Sequence, residues 1–236
     1  MKSEKAVVLL SGGLDSATVA AIAKADGKEL FALTIDYNQR HQVELEAAKK
    51  VAQFLGIRNQ IVLPVNLRLF GGSSLTGELE VPKNVPPEQI GRSIPNTYVP
   101  ARNTLFLSLA LAYAETVGAE EIYLGISAVD SSGYPDCRPE FLTAFEHLAN
   151  VATKLGVESA LSNRSGFRIR APLLHWSKAE TIRCGLELGL DYGLTWTCYD
   201  PGWNGLSCGR CESCTLRRQG FREAGASDPL VYERLG

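Results

Sequence analysis

A chain of 236 residues is long enough to bury a substantial core in one or two domains, which excludes a miniprotein held together by disulfides. Its 24 lysines and arginines against 26 acids give a formal charge of −2, so it has no cationic footprint for coating a nucleic acid. With 45% apolar and 21% charged residues the composition is that of a folded domain, and the longest apolar run, near 104–114, is about half the ~20 residues that cross a bilayer.

The chain starts Met1-Lys2-Ser3-Glu4-Lys5 and runs directly into an apolar segment, with no small-residue cleavage site and no hydrophobic leader region. The expectation is a cytoplasmic protein. Apolar runs at 6–10, 30–35, 60–63, 121–126 and 167–171 predict strands buried on both faces or nearly so. Helical spacing holds over 15–25, 43–55, 103–117, 139–155 and 177–188, and a last helix is expected at 216–224. Alternation of this kind, with right-handed crossovers, predicts a three-layer α/β fold: a parallel sheet flanked by helices. Ser177 with Glu180 reads as a capping box, and Asn103 as the cap of an apolar helix. Gly56, Gly118 and Gly156 stand where a C′ residue takes positive φ. Between 64 and 100 the chain is rich in glycine and proline, including Pro86-Pro87, and has no period. A loop of that length is usually functional or mobile.

The first strand ends at Leu10 and passes through Ser11-Gly12-Gly13-Leu14-Asp15-Ser16 into a helix. Free N–H groups and the positive end of a helix dipole then meet at one point, where an anion belongs. Paired glycines let backbone approach a phosphate oxygen, and the two serines add hydroxyl donors. A bare Gly-Gly would read as an ordinary tight turn, whereas the whole string after a first strand reads as phosphate binding. Leu14-Asp15-Ser16 replaces the Gly-Lys-Ser/Thr of the P-loop, and no G-x-G-x-x-G is present. Lys178, in the first turn of the capped helix, opposes that helix's dipole. It is either a solvated surface cation or a phosphate ligand. Arg102 stands at the mouth of another helix and is either a structural arginine or a clamp for phosphate or carboxylate.

The strand at 121–126 runs into a polar stretch containing Asp130, Asp136 and Arg138, at a sheet end where α/β folds bind ligands. These side chains could read a polar heterocycle, although Asp136 could equally cap the helix begun by Pro139. Cys198, Cys208, Cys211 and Cys214 give C-x9-C-x2-C-x2-C, a set of thiolates suited to a closed, structural Zn²⁺ site, with Gly209 allowing the turn. An iron–sulfur cluster is the competitor and a redox dithiol the third reading. Cys137 and Cys184 stand outside this set.

The 11–16 string resembles the signature of the N-type ATP pyrophosphatases. In that superfamily the second strand supports adenosine near Asp36. Together with the 36–41 run, 99–104, 133–141, 178–180 and the four cysteines, it resembles the QueC family, the 7-cyano-7-deazaguanine synthases, over nearly the whole chain. Asn38, Ala101, Ser127 and Ser131 depart from the family pattern, the serines within the loop that the resemblance assigns to the substrate.

The resemblance implies an adenine nucleotide alpha hydrolase-like domain at 1–194, with an insertion near 64–100, and a zinc-binding segment with its helix at 195–236. It implies ATP with Mg²⁺ at Leu10, Ser11, Gly12, Gly13, Leu14, Asp15, Ser16, Asp36 and Arg102, with Asp15, Ser16 and Lys178 catalytic. Asp130, Asp136 and Arg138 would meet the substrate, and the four cysteines would hold structural Zn²⁺. The implied reaction turns 7-carboxy-7-deazaguanine and ammonia into a nitrile through adenylated acid and amide, for queuosine biosynthesis. The implied protein is a homodimer with no nucleic-acid or membrane partner. Rival readings are a tRNA-thiolating ligase, which needs a catalytic cysteine pair, and a zinc-bearing module that holds ATP without chemistry.

Overall fold

A computed structural model describes residues 4–39, 43–86, 89–203 and 205–233, the side chains of Val129, Ser131 and Ser132 excepted. Arg40 and His41 of the 36–41 run, Pro87 and the Ser131 side chain therefore lie outside the described residues. Strands β1 (Lys5–Leu9), β2 (Glu29–Asp36), β3 (Asn59–Pro64), β4 (Glu121–Tyr123) and β5 (Arg168–Arg170) form one sheet. The order is β3-β2-β1-β4-β5 and every neighbouring pair is parallel. The helices are α1 (Leu14–Ala25), α2 (Val43–Phe54), α3 (Arg102–Val117), α4 (Ala128–Gly133), α5 (Pro139–Ala152), α6 (Lys154–Leu161), α7 (Lys178–Glu187) and α8 (Glu212–Ala224).

β1 takes the centre because its side chains are apolar on both faces. Val7 packs with Leu107 of α3 and Phe145 of α5, whereas Ala6 and Val8 pack with Val19 of α1, Val51 of α2 and Ile182 of α7. This is the three-layer arrangement that the alternation of periods predicts. The strand order reverses between β1 and β4, which opens a crevice at their carboxyl ends where doubly wound sheets take ligands.

Four local expectations change. The helix expected at 139–155 is two helices, because Thr153 is extended (φ −120°, ψ 156°) and its Oγ1 accepts from Gly156 N at 3.1 Å to cap α6. Gly156 is consequently inside a helix and not at a C′ position. A Cβ there would lie 2.4 Å from Asn150 O, so glycine serves the contact of α6 with α5. Gly56 and Gly118 do have positive φ, 68° and 72°. Asn103 does not cap α3, which starts one residue earlier behind Ala101 at φ 53°. The last helix starts at Glu212 and not at 216, since its first turn carries Cys214 where apolar periodicity is silent.

Among its described residues the stretch at 64–100 carries a 3₁₀ turn at Leu67–Leu69 and a single β-bridge from Lys83 to Cys211. Its Leu75, Val81 and Val99 are nevertheless buried. Ser74 N donates to Asn96 O at 2.8 Å, and Asn84 N donates to Arg210 O at 2.8 Å. Lys83 pairs with Asp200 at 2.7 Å, fastening the stretch to the cysteine-bearing segment.

Candidate active site and cysteine cluster

Beyond β1 the Leu10 N–H continues the sheet by donating to Leu33 O at 3.0 Å, and the Leu10 side chain is buried in the core. The backbone then turns at Gly12, whose φ is +84°. A Cβ at this position would stand 2.4 Å from Ala48 N and 2.5 Å from Glu44 O, so only glycine lets the loop lie against α2. Ser16 Oγ donates to Gly13 O at 3.0 Å and accepts from Ser11 N at 3.3 Å. Ser11 Oγ lies 3.0 Å from Ser16 Oγ and accepts from Gly13 N at 3.3 Å. The two hydroxyls thus shape the loop from within. Gly125, just past β4, packs so closely on α1 that a Cβ would be 2.7 Å from Ser16 N. The first turn of α1, with N–H groups that have no intrahelical acceptor, therefore opens at the β1/β4 crevice.

α7 brings the cation. Its capping box forms as expected: Ser177 Oγ accepts from Glu180 N at 3.2 Å and Glu180 Oε2 accepts from Ser177 N at 2.7 Å. The next residue, Lys178, reaches Asp15 Oδ2 at 2.6 Å and Oδ1 at 2.8 Å. Burial disfavours charge on the Lys178 ammonium, but the Asp15 and Asp130 carboxylates outweigh it and hold its pKa above the ordinary lysine value. Of the two sequence readings of Lys178, the solvated surface cation does not apply.

The crevice encloses about 220 Å³, and Ser11, Gly13, Leu14, Asp15, Ser16, Arg102 and Asp130 line it. Arg102 lies 5.8 Å from the Tyr37 ring centroid and 5.9 Å from that of Phe106, a cation on an aromatic wall. Asp130 both lines the crevice and caps α4, accepting from Ser127 N and Oγ at 2.8 Å each. The remaining sequence-derived residues go elsewhere. Asp36 closes a turn by accepting from Asn38 N at 3.0 Å. Asp136 is buried and accepts from Asn103 N at 2.9 Å, so it caps α3, not the helix begun by Pro139. Arg138 is exposed. None of these three, nor Leu10, Gly12 or Lys178, is among the crevice-lining residues, Lys178 meeting the site only through Asp15.

Reading by motif passed over Glu44, Thr97, Tyr134, Trp196, Thr197, Tyr199 and Ser213, all on the crevice wall. Tyr134 OH is 3.0 Å from Thr97 Oγ1. Burial raises the Glu44 carboxyl to about 7 against the pull of Arg102. The only hint of the last four was their position beside the cysteines, as with Tyr199 after Cys198 and Ser213 between Cys211 and Cys214.

The four cysteines are buried, and their Sγ atoms all lie within 4.8 Å of one another. Thiolates around a tetrahedral ion with ~2.3 Å bonds sit roughly 3.8 Å apart, so this set fits such an ion. Backbone N–H groups point at the sulfurs: Cys208 N donates to Cys198 Sγ at 3.2 Å and Cys211 N to Cys208 Sγ at 3.3 Å. Gly209 at φ +69° makes the turn that permits this. These donors would stabilise thiolate charge in the way that outer partners tune metal sites. Among the described residues no helix is long and apolar enough to cross a membrane.

The model of the queuosine biosynthesis protein QueC matches residues 5–225. The 7-cyano-7-deazaguanine synthase of Rhizorhabdus wittichii is 57% identical over 231 residues, covering 98% of this chain and 96% of that protein. The enzyme of the same name from Syntrophus aciditrophicus is 57% identical over 230 residues, covering 98% of each. Among solved structures, an NMN synthetase from Francisella tularensis aligns with TM-score 0.49 and 16% identity over 96% of this chain and 79% of that one, and adds nothing to the strand order above. With a loop, a crevice and a cysteine set in place and relatives matching end to end, the chain belongs to the QueC family.

Proposed function

We propose that this protein is a 7-cyano-7-deazaguanine synthase acting in queuosine biosynthesis, an ATP-dependent ligase that converts 7-carboxy-7-deazaguanine and ammonia to the nitrile. The observation that carries the reading is a single crevice shared by two kinds of surface. The first turn of α1, with Asp15 and Ser16, forms one wall, Lys178 standing behind Asp15 as its ion-pair partner, and Arg102, Tyr37, Tyr134 and Asp130 form the other. A nucleotide on the first wall brings its α-phosphate to a planar acid lodged on the second.

The chemistry asks for that adjacency. A carboxylate does not yield to ammonia, because oxide would have to leave. Transfer of AMP from ATP to a carboxylate oxygen releases pyrophosphate and creates a leaving group. Ammonia then displaces AMP to form the amide, losing a proton. A second ATP adenylates the amide oxygen, and AMP departs with that oxygen as the nitrogen loses its remaining protons. Each transfer develops charge on phosphate oxygens, which the α1 N–H groups and the Lys178 ammonium beside Asp15 would stabilise. Mg²⁺ accompanies the nucleotide and supplies charge neutralisation there. Zinc in the cysteine set would fasten the 198–214 segment to the fold. The family resemblance adds a cytoplasmic homodimer to this reading.

The thiolating reading is disfavoured by Cys137. Burial pushes its thiol far above the ordinary range and Asn103 Nδ2 donates to its sulfur at 3.0 Å, which is no setting for a nucleophile. The test is product analysis with 7-carboxy-7-deazaguanine, ammonium and ATP. The reading requires two AMP and two pyrophosphate per nitrile, and nitrile without AMP would refute it.

A further inference from the structure

Arg217 lies on α8, three residues after Cys214, and is 1% exposed. All five guanidinium N–H donors are used. Nη1 donates to Thr195 Oγ1 at 2.7 Å and to Thr197 Oγ1 at 3.0 Å. Nη2 donates to Tyr192 O at 3.0 Å and Asp228 Oδ1 at 3.1 Å, and Nε donates to Asp228 at 3.1 Å. The two threonines flank Trp196. Trp196 N donates to Gly12 O at 2.9 Å, at the turn of the phosphate loop, and Trp196 Nε1 donates to Cys198 O at 3.0 Å. A Cβ on Gly13 would stand 3.5 Å from Trp196 O, so the 195–197 strip forms the outer wall of that loop. Tyr192 extends the clamp: its hydroxyl donates to Thr181 O of α7 at 3.0 Å and lies 2.7 Å from Thr18 Oγ1 of α1.

One buried guanidinium thus grips both sides of a strip that has a cysteine of the metal set at one end and a loop glycine beside it. We infer that Arg217 is a positioning residue, holding 195–197 so that Trp196 sets the shape of the 11–16 loop relative to the cysteine cluster. Lysine cannot replace it, because an ammonium has three donors and no planar fork to span two hydroxyls, a carbonyl and a carboxylate. The cysteine set then acts on the nucleotide site through the strip that Arg217 clamps. This inference rests on the ligase reading only in taking the loop's ligand to be ATP.

The test compares the metal-loaded full-length protein with Arg217→Lys and Thr195→Val. Thr195 is buried, lies outside the crevice wall and is matched in shape by valine. Metal per chain is measured first, then amide hydrogen exchange of the 11–16 segment without nucleotide, then KM for ATP and for 7-carboxy-7-deazaguanine separately. With metal retained, exchange at 11–16 is expected to rise several-fold and KM for ATP about tenfold, while KM for the heterocycle moves less than about twofold. Unchanged exchange in folded, metal-loaded variants overturns the inference, as does an equal rise in both KM values. If Arg217→Lys does not fold, Thr195→Val decides alone. Faster exchange at 11–16 in a protein that turns over no ATP would uphold the clamp and remove the ligase reading.

Discussion

Lys178 Nζ brackets the Asp15 carboxylate, 2.6 and 2.8 Å from its two oxygens, across 163 residues of sequence. Each residue sits in the first turn of its helix, so the N-termini of α1 and α7 converge on one ion pair. The aspartate complements its helix dipole and the lysine opposes its own. The pairing makes a cation at a helix N-terminus tolerable and keeps an ammonium beside the loop.

Asp15→Ala and Ser16→Ala should each lower ATP-dependent turnover by at least about a hundredfold with the metal retained. Asp15→Ala also leaves a half-buried ammonium without its partner and should cost about 2–3 kcal/mol of stability. Pyrophosphate release and metal analysis on the same preparations check this, and wild-type release in both variants would remove the loop from the chemistry.

Gly12→Ala meets two obstacles, a φ of +84° and the α2 backbone 2.4 Å from the new Cβ. Gly56→Ala meets only one, since its φ is +68° but nothing lies within 4 Å. The first should cost about 2 kcal/mol more than the second, several degrees in Tm, with loss of nucleotide binding in the first alone. Calorimetry on the pair reads the difference, and equal melting temperatures would mean that α2 yields.

Cys211→Ser should lose the metal and melt at a lower temperature, and a chelator should do the same to the parent protein. Elemental analysis of the parent should find about one zinc per chain. Iron with sulfide and visible absorbance would replace zinc by a cluster.

Glu44 supplies a pH dependence. Burial raises its folded pKa to about 7, above the ordinary glutamate value, so the folded state binds the extra proton. Stability from the neutral carboxyl is complete below about 4.5 and is lost as pH rises through 7. Glu44→Gln, neutral throughout, should match the parent in stability near pH 4 and exceed it by about 2–3 kcal/mol at pH 8. Denaturant titrations at the two pH values measure the difference, and a constant offset would show that Glu44 is charged in the fold.

What was legible in the sequence is what short-range pattern encodes. Five apolar runs marked five strands, and the central β1, β2 and β4 are buried on both faces as expected. The edge strands are not: β3 is largely exposed, and β5, Arg168-Ile169-Arg170, exposes both arginines at the open edge of the sheet. The 11–16 string, the Ser177 capping box and the cysteine spacing were equally readable, since each is a contact among residues a few positions apart. Thr153 shows the limit: its role as a cap breaking one helix into two looks, in sequence, like one more position in an apolar period.

The tertiary structure alone decided who meets whom. It set Asp136 on Asn103 N as a cap of α3, and it set Lys178 on Asp15. It also set Glu44 beside Arg102 on the crevice wall and closed Arg217 around the strip next to Gly12. Periodicity tells a side chain which face it occupies but not which distant segment lies there. A charge's role depends on the partner and the dielectric supplied by that segment, and these come into being only when the sheet order brings α1, α7 and α8 together.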